Sequence, residues 1–115
     1  MRRFGKVDKA WGHEDIFISN DNYCGKYLHF NKPGDRTSMH FHKTKHETWK
    51  VIKGTFKVNY IETVDGVTTS TDLKEGDLWV NPVGFIHQLE ALDANSTVLE
   101  ISTADSDEDN FRVWR

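Results

Sequence analysis

The stretch from Gly34 to Gly54 restricts what this chain can fold into more than any other. It reads Gly34, five residues, His40, one residue, His42, four residues, Glu47, six residues and Gly54. Residues two apart on a β-strand point to one face, so His40 and His42 project their imidazoles together into whatever that face encloses. The polar connection Lys43-Thr44-Lys45-His46 is short enough for a hairpin-like reversal that brings Glu47 back beside the same strand. A second glycine-punctuated stretch follows: Gly76, five residues, Pro82, one residue, Gly84, two residues and His87. A single histidine on a strand is more often hydrogen-bonded or solvated than ligating, so only the joint spacing of these residues points to a ligand set. His40, His42 and Glu47, joined by His87 if a barrel brings its distant strand to the same centre, would form a donor set for one divalent transition-metal ion, Zn, Mn, Fe, Co or Ni, because nitrogen donors favour that series over Ca or Mg. Four protein groups around an octahedral ion leave two positions for a substrate, which separates a catalytic site from a closed structural one. His46 adjoins Glu47 and faces the other way if both lie on a strand, which places it at a rim.

The rest of the chain alternates with a period of two. His13 to Ser19, Tyr23 to Asn31, Glu47 to Ile52, Phe56 to Ile61, Leu78 to Val80, Ile86 to Leu89 and Thr97 to Thr103 all read as strands. Asp65-Gly66 is a hairpin signal, and the Thr-rich Val67 to Leu73 after it reads as an edge strand. Residues 1–12 look irregular, with Trp11 as a plug over the core. Residues 104–110 form an acidic run that reads as a solvated loop; a Ca loop lacks its glycine and its twelfth-position Glu. Many short strands separated by Gly and Pro indicate an all-β sandwich or barrel.

With 115 residues the expectation is one domain, 1–115, with an N-terminal arm at 1–12 and an acidic tail at 104–115. A net charge of −3 with interspersed signs offers no basic field, so nucleic acid is not an expected partner. Cys24 is the single cysteine and reads as a buried core residue. No long apolar run suggests a membrane span, no leader is visible and no motif suggests an organic cofactor, so the expected compartment is the cytoplasm. A chain this small would gain from pairing, and a homodimer is expected.

These spacings resemble the two sequence motifs of the cupin superfamily, whose all-β fold is a double-stranded β-helix, or jelly-roll β-barrel. Ala91 stands where the second motif usually closes with Asn. Within the superfamily the chain is similar to the cupin module of type II mannose-6-phosphate isomerases and GDP-mannose pyrophosphorylases. Trp11-Gly12, the run from Glu47 and Trp49 to Gly54-Thr55, and the ending Glu108-Asp109-Asn110-Phe111-Arg112 carry that likeness. Ala10, His40, Lys45 and Thr48 depart from the group's usual Pro, Gln, Arg and His. The resemblance implies metal-dependent aldose–ketose isomerisation of a sugar phosphate, a small-molecule carbohydrate substrate. His46 and His29 are then the candidates for the catalytic base, and Arg112, Lys45 and Arg36 the candidates for holding the phosphate. Two alternatives remain: an Fe-dependent cupin oxygenase, and a sugar-binding cupin without turnover.

Overall fold

The computed structural model describes residues 4–62 and 64–115; the basic start at 1–3 lies outside the described residues. The described residues form strands and no helix: β1 Gly5–Lys9, β2 Gly12–Ser19, β3 Tyr23–Phe30, β4 Met39–Phe41, β5 Glu47–Lys53, β6 Phe56–Ile61, β7 Thr68–Leu73, β8 Leu78–Asn81, β9 His87–Ala91, β10 Ser96–Thr103 and β11 Phe111–Trp114. Among the described residues no helix is long and apolar enough to cross a membrane. A six-stranded sheet, in the order β1-β2-β3-β10-β5-β8, and a five-stranded sheet, in the order β11-β4-β9-β6-β7, enclose the interior as a jelly roll. Strand pairing is antiparallel in both.

Alternation decides which side chains enter. In β10, Ser96, Val98, Glu100 and Ser102 are buried while Ile101 and Thr103 are exposed. The inward positions then change character along each strand. β3 runs from Lys26 to Leu28 and Phe30, β5 from Glu47 to Trp49 and Val51, and β9 from His87 to Leu89 and Ala91, all buried. Antiparallel register sets like against like, with Glu100 opposite Lys26 and Val98 opposite Leu28. One half of the interior is therefore an apolar core around Phe30, Phe56, Val58, Leu89 and Val98. The other half is lined by charge. Trp11 lies over the core and stacks on Phe30 with ring centroids 4.4 Å apart.

Three expectations need correction. Residues 5–9 are not irregular but form β1, whose outer edge position leaves it mostly exposed and so without an apolar period to read. Residues 111–114 of the expected tail form β11, which pairs with β4, and within the run 104–110, expected to be a solvated loop, Asp109 is buried. The 43–46 connection is not a hairpin: β4 belongs to the five-stranded sheet, whereas β5 pairs with β10 and β8 in the other. It carries the chain across the interior, so His42 and Glu47 approach one point from opposite walls. Two other expectations agree with the structure. Glu62 N–H bonds the Val67 carbonyl at 3.0 Å across the Asp65-Gly66 turn, and β7 lies at a sheet edge.

Gly12 opens β2 with φ +150°, and a Cβ built there would lie 1.9 Å from the His29 carbonyl oxygen of β3. Backbone cannot retreat from that contact without breaking the β2–β3 ladder. Gly12→Ala is expected to lose on the order of 3 kcal/mol in urea unfolding; a loss below about 0.5 kcal/mol, ordinary for a surface change, would contradict this.

Candidate metal centre

His40 lies on β4 directly opposite His87 on β9, His42 follows β4, and Glu47 opens β5 on the facing sheet. One ligand atom from each of the four lies within 4.8 Å of all the others. Opposite ligands around a transition-metal ion stand about 4 Å apart, so the separations are of the right size. His40, His42, Glu47 and Trp49 line a cavity of about 580 Å³ that continues past them to the surface.

Hydrogen bonding fixes which nitrogen of each imidazole is free. Nδ1 of His40 bonds the Ser38 carbonyl at 2.7 Å, Nδ1 of His42 the Asp109 carbonyl at 2.5 Å, and Nδ1 of His87 the Phe85 carbonyl at 2.8 Å. A carbonyl oxygen only accepts, so each Nδ1 donates, and in the neutral ring that leaves Nε2 with the lone pair a metal ion would take. His87 Nε2 is buried without a hydrogen-bond partner. It lies 2.8 Å from Glu47 Oε1, a distance without hydrogen-bond alignment, as two acceptors aimed at a common third point would be. Burial, reinforced by His87 nearby, pushes the His40 imidazolium down to about 3, so the ring is neutral. Burial by itself raises the Glu47 carboxyl, but the Lys45 ammonium 3.3 Å away helps hold it below the ordinary carboxylate range and ionised. Three imidazole nitrogens and one carboxylate fit a divalent transition ion.

The charge around the site gives the same sign. Lys26 sits 3.2 Å from Glu14, 3.6 Å from Glu100 and 3.2 Å from Asp105. Lys45 sits 3.3 Å from Glu47, 3.0 Å from Glu100 and 3.3 Å from Asp105. Burial opposes the charge on each lysine, yet the carboxylates, Glu100 foremost, outweigh it and raise both above the usual lysine range. Two ammonium groups thus face four carboxylates. A divalent ion would cancel the surplus of two negative charges.

A second layer orients the ligands, as metal sites require. Asn81 donates to Glu47 Oε1 at 3.2 Å and accepts from Trp79 Nε1 at 2.8 Å. Asp109 does more. Its carboxylate accepts the backbone N–H of Lys43 at 2.6 Å, of Thr44 at 3.2 Å and of Lys45 at 3.0 Å, and the Thr44 hydroxyl at 2.8 Å. Its own carbonyl holds His42. One residue from the end of the chain therefore sets the path of the crossing loop and the ring orientation of a ligand.

The other expected site residues divide. Arg36 and Arg112 line the cavity, and Arg112 pairs with His40 across β11 and β4. Lys45 lies at the floor with its ammonium among three carboxylates, not at the rim where a phosphate would enter. His46 is exposed outside the cavity, its N–H bonded to Thr103 Oγ1 at 3.0 Å. His29 faces away from the interior, with Nδ1 3.0 Å from Thr97 Oγ1 and its ring 4.6 Å from that of His13. Sequence reasoning missed Glu14, Lys26, Glu100, Asp105 and Asp109. A signal existed for two of them: Lys26 alternates in phase with Leu28 and Phe30, and Glu100 with Val98, so both were due to face inward.

Comparison with known proteins adds the family. The model for the mannose-6-phosphate isomerase C-terminal family matches residues 1–110. The chain belongs to that family. No curated protein matches its sequence. Among solved structures, this member of the mannose-6-phosphate isomerase C-terminal family is similar to oxalate decarboxylase from Bacillus subtilis, with TM-score 0.82 and 23% identity over 96% of this chain and 30% of that one. It is also similar to the capsular polysaccharide assembling protein CapF from Staphylococcus aureus, with TM-score 0.81 and 19% identity over 100% of this chain and 34% of that one. KdgF from Halomonas sp. gives TM-score 0.75 and 21% identity over 90% of each chain. The chain thus spans about a third of the length of the first two. At these identities the likeness is one of fold, the cupin jelly roll.

Asp109→Ala is expected to weaken binding of Zn or Co by roughly 10- to 100-fold, read by competition with a chromophoric chelator. A variant that melts earlier but binds the ion as tightly would show that Asp109 supports only the fold. Asp105 supplies a pH dependence. Burial raises its carboxyl, but Lys45 and Lys26 outweigh this and bring it from 3.8 down to about 2. A group lowered in the fold stabilises above its unfolded value and loses that contribution as pH falls. Asp105→Asn should therefore be less stable than wild type at pH 7, with the gap closing between about pH 4 and pH 2 in acid-titrated unfolding; a constant gap would contradict the pairing.

Proposed function

We propose that the chain is a metal-dependent cupin that isomerises a phosphorylated sugar between aldose and ketose forms, with mannose 6-phosphate as the first substrate to test. The observation that carries this reading is the convergence of His40, His42, His87 and Glu47, the first two and Glu47 lining a cavity whose wall also includes Arg36, Arg112 and Arg115. A bound divalent ion, held by His40, His42, Glu47 and His87, would supply Lewis-acid polarisation of a carbonyl and its neighbouring hydroxyl. The lining charges then have separate tasks. At the floor, Lys26 and Lys45 keep the carboxylates ionised and ordered. Away from the floor, Lys9, Arg36, Arg112 and Arg115 outnumber Asp8 and Asp107, leaving a positive surplus suited to a phosphate dianion. Arg112, tied by strand pairing to the ligand His40, is the phosphate anchor in this reading. His29 and His46 lie outside the cavity, so the proton moves on a carboxylate of its wall, Glu14 or Glu100.

The test is conversion of mannose 6-phosphate to fructose 6-phosphate by protein loaded in turn with Zn, Mn, Co, Ni and Fe. The expected result is turnover with at least one ion, abolished in His87→Ala. Arg112→Ala should raise KM by about 10-fold while changing kcat little, since it removes binding to a part of the substrate that does not react. Metal-loaded protein that binds the sugar phosphate without converting it would replace the isomerase with a binding cupin. Oxygen uptake specific to the Fe form would replace it with an oxygenase.

A further inference from the structure

Glu47 offers a metal ion two oxygens, and its surroundings treat them differently. Oε1 faces the other ligands, 2.8 Å from His87 Nε2 and 3.9 Å from His42 Nε2. Asn81 Nδ2 donates to the same oxygen at 3.2 Å, which leaves Oε1 a second lone pair for an ion. Oε2 is turned instead to the Lys45 ammonium, 3.3 Å away. A carboxylate binds an ion through one oxygen or through both, and here a cation already stands against the second.

Lys45 has little room to give way. Its ammonium is 3.0 Å from Glu100 Oε2 and 3.3 Å from Asp105 Oδ1, and its side chain is only 4% exposed. Its backbone is fixed as well, because its N–H donates to Asp109 Oδ2 at 3.0 Å. Glu100 is itself held at its other oxygen by Trp49 Nε1, 2.9 Å away. Three carboxylates therefore keep the ammonium in a space closed to solvent, where it cannot leave Oε2 for water.

Tight retention of an ion does not call for this lysine. A buried ammonium a few ångströms from a ligand oxygen repels a divalent cation and opposes its binding. What the lysine does provide is an open position. Three imidazoles and one carboxylate oxygen leave two of the six places around an octahedral ion, whereas chelation by both oxygens would leave one. Polarising a carbonyl together with its neighbouring hydroxyl takes two places, so this consequence rests on the isomerase reading; the coordination itself does not.

We propose that Lys45 confines Glu47 to a single ligand oxygen, Oε1, and so keeps a second position on the ion free for substrate. Lys45 is a positioning residue, acting on the ion and on substrate only through Glu47.

Manganese-loaded protein tests this with no measurement of turnover, so the result is independent of whether the protein is an isomerase. Each water that exchanges on Mn adds to the relaxation rate of the solvent protons, so the relaxivity counts open positions. Wild type should show the relaxivity of two exchanging waters and Lys45→Met that of one, a fall of about 2-fold. Loss of the ammonium also removes its repulsion of the ion, so Lys45→Met should bind Mn and Zn about 10-fold more tightly, whereas damage to the fold would loosen them. Lys45→Arg, which keeps the charge, should retain the wild-type relaxivity. A wild-type relaxivity of one water overturns the proposal even if Lys45→Met does not fold. So does a Lys45→Met protein that binds Mn with unchanged relaxivity, or more weakly than wild type.

Discussion

Three imidazole nitrogens with free lone pairs and one ionised carboxylate share a buried volume a few ångströms across, and much of the structure answers the cost of that arrangement. Like-signed lone pairs repel, and a buried charge without a partner is expensive. Lys45 neutralises one side of Glu47, Asn81 bonds the other, and each ring is held by a backbone carbonyl. None of these contacts supplies positive charge at the point where the four ligand atoms meet. An ion does, and it would also balance the surplus of carboxylates around Lys26 and Lys45.

The jelly roll makes this affordable by dividing its interior. Because β3, β5 and β9 each carry polar inward residues towards one end and apolar ones towards the other, the apolar half can hold the sheets together while the charged half stays open to a cavity. Trp49 marks the boundary: its ring belongs to the core, while its Nε1 donates to Glu100 at 2.9 Å. The end of the chain completes the charged half. Asp105 reaches the two lysines, Asp109 shapes the crossing loop, and β11 adds Arg112 beside His40.

The ligands and most of the strands were legible because both follow short rules, fixed motif spacing for the one and period-two alternation for the other. The same alternation separates His29 from Leu28 and Phe30, so its exclusion from the interior was already written in its phase. What local patterns could not convey was pairing between distant segments. β1 lies at an edge and buries too little to show a period. β11 finds its partner some seventy residues back along the chain. The 43–46 connection has the length of a hairpin but crosses between sheets, because Asp109, far away in sequence, gathers its three N–H groups. The acidic run at 104–110 looked solvated for a related reason: Asp105 and Asp109 are acidic because buried cations and bare N–H groups await them, and those lie elsewhere in the sequence.

The central claim is that these four side chains hold a divalent ion, and the direct measurement is the metal content of protein purified without added metal or chelator, beside His40→Ala and Glu47→Ala. The account predicts close to one ion per chain in wild type and essentially none in either variant, with all three proteins folded. Wild-type protein that remains empty after incubation with Zn, Mn, Fe, Co and Ni, or variants that keep the ion, would contradict it.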